Sequence, residues 1–176
     1  AKFPSLRPAF ELFARLMDEP AHGQRLLGEL RGVLGEEHRL TLVSGANLAF
    51  AIRSQGDFRT SREHLNRIVA VQERVLGAAD RETIRTRSVL ACTLDVLGDA
   101  GEARKQHELA LATALDAYGE YHEITHSSRA NLIGFLARHE PGATVHHLEV
   151  LRELQRRTAL SPTEAKIRDS IPQIER

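Results

Sequence analysis

The amino-acid sequence repeats itself at an offset of 42 residues. Leu34-Gly35 returns as Leu76-Gly77 and again as Tyr118-Gly119. Thr41 returns as Thr83 and Thr125, and Leu48 as Leu90 and Leu132. Gly56-Asp57 matches Gly98-Asp99, and Asn47 matches Asn131. Segments 34–75 and 76–117 share ten identities without a gap. A period of this length marks stacked supersecondary units, each too small to bury its own apolar face, so that neighbours complete one core.

Each unit reads as two helices. No proline falls between Ala21 and Glu140, and the strong helix formers Ala, Leu, Arg and Glu dominate that window. In the first unit a helix is expected from about Thr41 to Gln55, with Thr41 near its start able to act as N-cap. Leu48, Ala49 and Ile52 form its apolar stripe, and Gly56-Asp57 supplies the turn. A second helix from about Arg59 to Val75 buries Leu65, Ile68, Val69 and Val75. The second unit repeats this with Leu90, Ala91 and Leu94, then Ala103, Ala110, Leu111 and Ala114. Ala49 and Ala91 let the paired helices approach closely.

The organisation that follows is all-α, a right-handed superhelix of helix pairs. It comprises a degenerate pair at 1–33, with helices over Leu6–Met17 and Ala21–Val33, then repeats at 34–75 and 76–117. A degenerate third repeat spans 118–159, and a capping helix spans 160–176, opened by Ser161-Pro162-Thr163-Glu164. In the third repeat the turn becomes His139-Glu140-Pro141-Gly142. A helix from about Ala143 to Arg157 would then bury Val145, Leu148, Leu151 and Leu154. The chain starts at Ala1, out of frame with its repeats, as expected of a segment of a longer protein.

Charge and cysteine usage narrow the function. Lys+Arg and Asp+Glu both number 24, so the basic excess that displaces counterions from phosphates is missing and nucleic acid is not the expected partner. No run approaches the apolar length that spans a bilayer, and no signal-peptide pattern opens the chain. With Cys92 the single cysteine, a reducing, cytoplasmic setting is expected.

The repeat resembles the kinesin-light-chain type of tetratricopeptide repeat. Leu34-Gly35-Glu36-Glu37-His38-Arg39-Leu40-Thr41-Leu42 is followed by Asn47-Leu48-Ala49, Gln55-Gly56-Asp57 and Glu73-Arg74-Val75. The match is close in the first repeat, good in the second and partial in the third. Similar repeats occur in actinobacterial regulators, often behind a nucleotide-binding module; no G-x-x-x-x-G-K-[ST] is present here. The resemblance implies a scaffold that binds a protein or peptide in a concave groove, without cofactor or catalysis. A regulatory setting is also implied: a sensor or accessory part of a signalling or ribosomal-peptide maturation system.

In such an array the first helix of each pair faces the groove. Opposite the apolar stripe stand Val43, Asn47, Phe50 and Ser54 in the first repeat. Arg85, Val89, Cys92 and Val96 take those places in the second, and Ser127, Asn131, Gly134 and Arg138 in the third, with Arg53 and Asp95 at the rim. Asparagine can donate to and accept from a peptide backbone, and arginine can clamp a carboxylate, so Asn47, Asn131, Arg85 and Arg138 are the foremost expected contacts.

One stretch suggests other chemistry. His122-Glu123-Ile124-Thr125-His126 fits the H-E-x-x-H zinc hydrolase pattern. Its register speaks against it: His122 aligns with His38 and Asp80, which places it in the loop before a helix, whereas both histidines must share one helix to bind zinc. His107 takes the place of Leu65 and is expected to be partly buried with a neighbouring partner, and His146-His147 to open a helix in solvent. No base or basic cluster accompanies Cys92, so a nucleophile is not expected.

Overall fold

The computed structural model describes residues 20–145 and 148–149, of 176. Among them lie six α-helices: α1 (Pro20–Leu34), α2 (Arg39–Ser54), α3 (Phe58–Val75), α4 (Arg81–Val96), α5 (Ala100–Tyr118) and α6 (Glu123–His139). A 3-10 turn, Pro141–Ala143, follows. The described residues contain no strand. The expected helices over 6–17 and 160–176, and most of that over 143–157 with His146-His147, lie outside the described residues.

Punctuation comes from glycines every 21 residues. Gly35, Gly56, Gly77, Gly98 and Gly119 all have φ between 78° and 92°, a region that a Cβ disfavours. Each therefore ends one helix and redirects the chain to the next. The series stops at Glu140, φ −143°, and a 3-10 turn follows α6 there in place of the glycine turn.

The helix starts correct one expectation. Thr41, Thr83 and Thr125 are not the caps. The caps lie three residues earlier, at His38, Asp80 and His122, whose side chains accept from the backbone N–H of Leu40, Glu82 and Ile124 at 3.2, 2.8 and 3.2 Å. The threonines sit one turn inside and are buried. Thr125 Oγ1 donates to Ala114 O and Gly119 O at 3.1 and 2.7 Å, tying α6 to the end of α5. Asp57 and Asp99 cap the second helices, accepting from Thr60 and Glu102.

The chain divides into two compact units, 1–77 and 78–176. In the first, α2 packs on both α1 and α3. Leu27, Leu48 and Ile52 form a core cluster, and Ala49 and Leu65 are fully buried. Close approach at Ala49 lets Ser61 Oγ donate to its carbonyl at 2.7 Å. Arg74 reaches back from the end of α3 to Glu37, 2.7 Å away, and that hydrogen bond holds the Glu37 carboxyl below its ordinary range.

In the second unit α5 packs on α4 and α6, and α6 also touches α4. Ile84, Ala110, Ala114 and Ile124 make one core cluster, edged by Tyr118. Leu90, Ala91, Leu94, Ala103, Leu111, Leu132, Ile133 and Leu136 are buried as their stripes require. Three apolar positions depart from expectation: Val75 and Val145 are exposed and Ile68 is half-buried, while Leu148 is buried as expected. Val75 falls in the last turn of α3, where the chain turns away at Gly77.

Two polar insertions distinguish this unit. Arg87 is buried and donates to Gln106 at 2.6 Å, joining α4 to α5. His107 is 1% exposed, yet neither ring nitrogen has a hydrogen-bond partner among the described residues. The expected neighbour is missing; the contact is instead with the Phe135 ring, its centroid 5.5 Å away. Burial disfavours the imidazolium and pulls the His107 pKa down to about 4.

Candidate peptide-binding face

The outward faces of α2, α4 and α6 are defined by what their other faces bury. On α2 the buried set is Thr41, Leu42, Ser44, Gly45, Leu48, Ala49 and Ile52. This leaves Val43 and Asn47 half-buried and Phe50 and Ser54 exposed. Phe50 shows 51% of its surface, one turn beyond Asn47. Among the described residues the Asn47 carboxamide has no hydrogen-bond partner. Ser54 does not project freely, because its Oγ donates back to Phe50 O at 3.0 Å. Arg53 is half-buried, its guanidinium 6.0 Å from the Phe58 ring centroid.

In the second unit the outward positions are more heavily engaged. Arg85 is exposed and lies 3.6 Å from Glu82 on the preceding turn. Val89 and Cys92 are half-buried and Val96 is exposed. On α6, Ser127 is exposed but its Oγ donates to Glu123 O at 2.8 Å. Asn131 is half-buried and, like Asn47, has no side-chain hydrogen bond among the described residues.

Asp95 is not a rim residue. Its side chain is 8% exposed and accepts from Arg138 Nη2 and His139 Nε2, each at 2.6 Å. Burial alone would raise the Asp95 carboxyl, but the hydrogen bonds and charges of Arg138 and His139 outweigh it and hold the pKa below the ordinary value. Arg138 is thus already paired, although much of its side chain stays exposed over Gly134, whose added Cβ would stand 3.8 Å from Nη1. One further bridge, which the period does not signal, backs this cluster: Arg104 of α5 donates to both oxygens of Glu140 at 2.6 and 2.7 Å. For Asp95 and Arg138 a signal does exist, since their separation of 43 residues is one period plus one.

The outward positions therefore divide by chemistry. Asn47 and Asn131 carry carboxamides without a hydrogen-bond partner among the described residues, suited to backbone recognition, Phe50 and Val96 offer apolar surface, and Asp95, Arg85 and Arg138 form ion pairs. The H-E-x-x-H stretch does not assemble a zincin site. His122 stands outside α6 as its N-cap with Nδ1 engaged by Ile124 N–H, so it does not share a helical face with His126. No group of metal-ligating side chains occurs among the described residues.

Comparison with known proteins agrees with the architecture. Residues 39–116 match the tetratricopeptide repeat. The fold is similar to that of the nearly identical TPR-like repeats of a Podosopora anserina protein described as a kinesin light chain. The TM-score is 0.74 at 20% identity, covering 97% of this chain and 90% of that one. A Q17M variant of the same protein gives a TM-score of 0.75 at 20% identity, covering 97% and 89%. No curated protein matches the sequence. Among the described residues, no helix is long and apolar enough to cross a membrane.

Proposed function

We propose that this chain, a tetratricopeptide-repeat protein with repeats of the kinesin-light-chain type, binds an extended peptide segment of a partner protein on the outward faces of its first helices. Tetratricopeptide repeats in general serve as protein-interaction scaffolds, not catalysts. The observation that carries the finer reading is the pairing of Phe50, an exposed aromatic, with the carboxamide of Asn47 one turn away on α2, which has no hydrogen-bond partner among the described residues. An aromatic anchor beside a donor–acceptor group reads both a side chain and a backbone. In the first unit Arg53 and Ser54 flank Phe50; in the second, Asn131 supplies the same carboxamide on α6, with Arg85, Cys92, Ser127 and Arg138 as its further contacts. Asp95 acts by holding Arg138.

Regulatory use follows from this reading: the repeats would serve a larger cytoplasmic signalling or peptide-maturation assembly by recruiting its components. Peptides selected from a random library against the protein test the face. Asn47→Ala with Asn131→Ala, and separately Phe50→Ala, should each weaken the selected peptides about tenfold, about 1.4 kcal/mol, while the melting temperature holds. Peptides that bind all three proteins equally would remove Asn47, Phe50 and Asn131 from the site.

A further inference from the structure

A second site lies on the other side of α2. The helices α1, α2 and α3 enclose an open cleft of about 600 Å³, within the range of small-ligand pockets. Its floor is apolar, formed by Leu27, Leu42, Ile68 and Val71, and its rim carries Arg31 and Arg67. Neither arginine has an ion-pair or hydrogen-bond partner among the described residues, whereas Arg74 nearby is held by Glu37. Among the described residues Glu36 is the one lining carboxylate outside that pair, so their free rim charge is net positive.

The repeat shows how this cleft differs in lining from the second unit. Gly45 lines it, and one period on the same register is Arg87, then Arg129. Arg87 is buried and donates to Gln106, whose own register partner in the first repeat is His64, another lining residue. The second repeat fills the space between its helices with an arginine–glutamine bridge; the first has neither side chain, and Ile68, in the register of Ala110, closes over Gly45 with its Cδ1 3.1 Å from where a Cβ would stand. Thr41 is 3% exposed and lines the cleft; like that of Thr83 one period on, its Oγ1 has no hydrogen-bond partner among the described residues. Its counterpart Thr125 spends that hydroxyl on two carbonyls.

We propose that this cleft binds a carboxylate carried on an aliphatic chain, the body lying on the Leu27–Leu42–Ile68–Val71 floor and the carboxylate meeting Arg31 and Arg67. A free acyl chain and the C-terminus of a peptide ending in leucine share this chemistry. The site is independent of the peptide-binding face, which uses the opposite side of α2.

Calorimetric titration of the whole protein with octanoate, octanamide and acetyl-Leu-Leu, the last with a free carboxylate, tests the assignment. Saturable binding of octanoate or of acetyl-Leu-Leu supports it, and the tighter of the two identifies the source. Octanamide should bind about tenfold more weakly than octanoate, for loss of the charge-assisted hydrogen bonds. Arg31→Gln with Arg67→Gln replaces two rim side chains and should cost about tenfold. A triple variant, Gly45→Arg, His64→Gln, Ile68→Ala, copies the second repeat's Arg87, Gln106 and Ala110 and should abolish binding with the helical signal intact. The outcome that overturns the proposal is no saturable binding of either carboxylate below about 10 mM, or equal binding by parent and the arginine variant. Asn47→Ala with Phe50→Ala should leave cleft binding unchanged; a loss there would deny the site its independence.

Discussion

Asp95 and Arg138 belong to different repeats, 43 residues apart, and meet at 2.6 Å. Asp95 ends α4 and Arg138 ends α6, so one buried carboxylate fastens the last turns of two successive first helices, with His139 as its second donor. Such a carboxylate cannot lose its partners cheaply, because the charge stays buried.

Asp95→Ala removes both hydrogen bonds that join the two helices and should destabilise the second unit by about 1–3 kcal/mol, whereas in Arg138→Gln the carboxylate keeps His139 as donor and the cost should be less. Denaturant titration compares the two. The pair also contributes a pH dependence: the folded pKa of Asp95 is depressed, so its contribution is complete above the ordinary value of 3.8 and disappears as pH falls below it. Equal and negligible costs for both variants would deny the carboxylate its fastening role.

His107 contributes in a different window. Its folded pKa, about 4, lies below the ordinary 6.5, so the unfolded chain binds the proton first. Stability from this group is complete above pH 6.5 and is lost as pH falls toward 4, by about 2 kcal/mol at pH 4.5. His107→Leu copies Leu65 of the first repeat and removes two unpartnered buried nitrogens. Denaturation at pH 7.5 and 4.5 should show the variant more stable at both, with the larger gain in acid. A gain independent of pH would mean that the folded state keeps the imidazole charged.

The cap assignment predicts that His122→Asp leaves the fold intact and holds or raises the melting temperature, because aspartate already serves at the same register as Asp80. Asp80→Ala should cost about 1 kcal/mol. Stoichiometric zinc in the purified protein, lost with His122→Asp, would be incompatible with a capping role.

Gly98 stands at φ 84° between α4 and α5, so Gly98→Ala should cost about 1 kcal/mol. Gly101 lies within the first turn of α5 with open space where an alanine methyl would stand, and Gly101→Ala should be neutral or stabilising by about 0.5 kcal/mol. Thermal melts of the two variants should move in opposite directions or differ by several degrees.

The fold was legible because a fixed offset repeats the residues that cannot vary: Gly56 and Gly98 at the turns, Leu48, Leu90 and Leu132 in the core. The same offset held the cap information, since His38, Asp80 and His122 share a register, but threonine is a stronger general cap than histidine and drew the expectation one turn too far. The pairing of Arg138 was legible only in part: a separation of one period plus one points to Asp95, but an ion pair also needs a rotamer, which periodicity does not supply. Gly45 is the clearest case of a departure with meaning. It breaks the Arg87–Arg129 register, and only the packed helices show that Ile68 closes over it at the wall of a cleft.

On the proposed reading, a peptide bound to the outward face of α2 must pass over Phe50. Replacing Phe50 with a photo-crosslinking phenylalanine analogue, and mapping its adduct with a library-selected peptide by mass spectrometry, reads that contact directly. One dominant adduct at position 50, suppressed by Asn47→Ala, is the expected result. No adduct from position 50, alongside efficient crosslinking of the same peptide from an analogue placed at Arg67, would show that the peptide binds elsewhere.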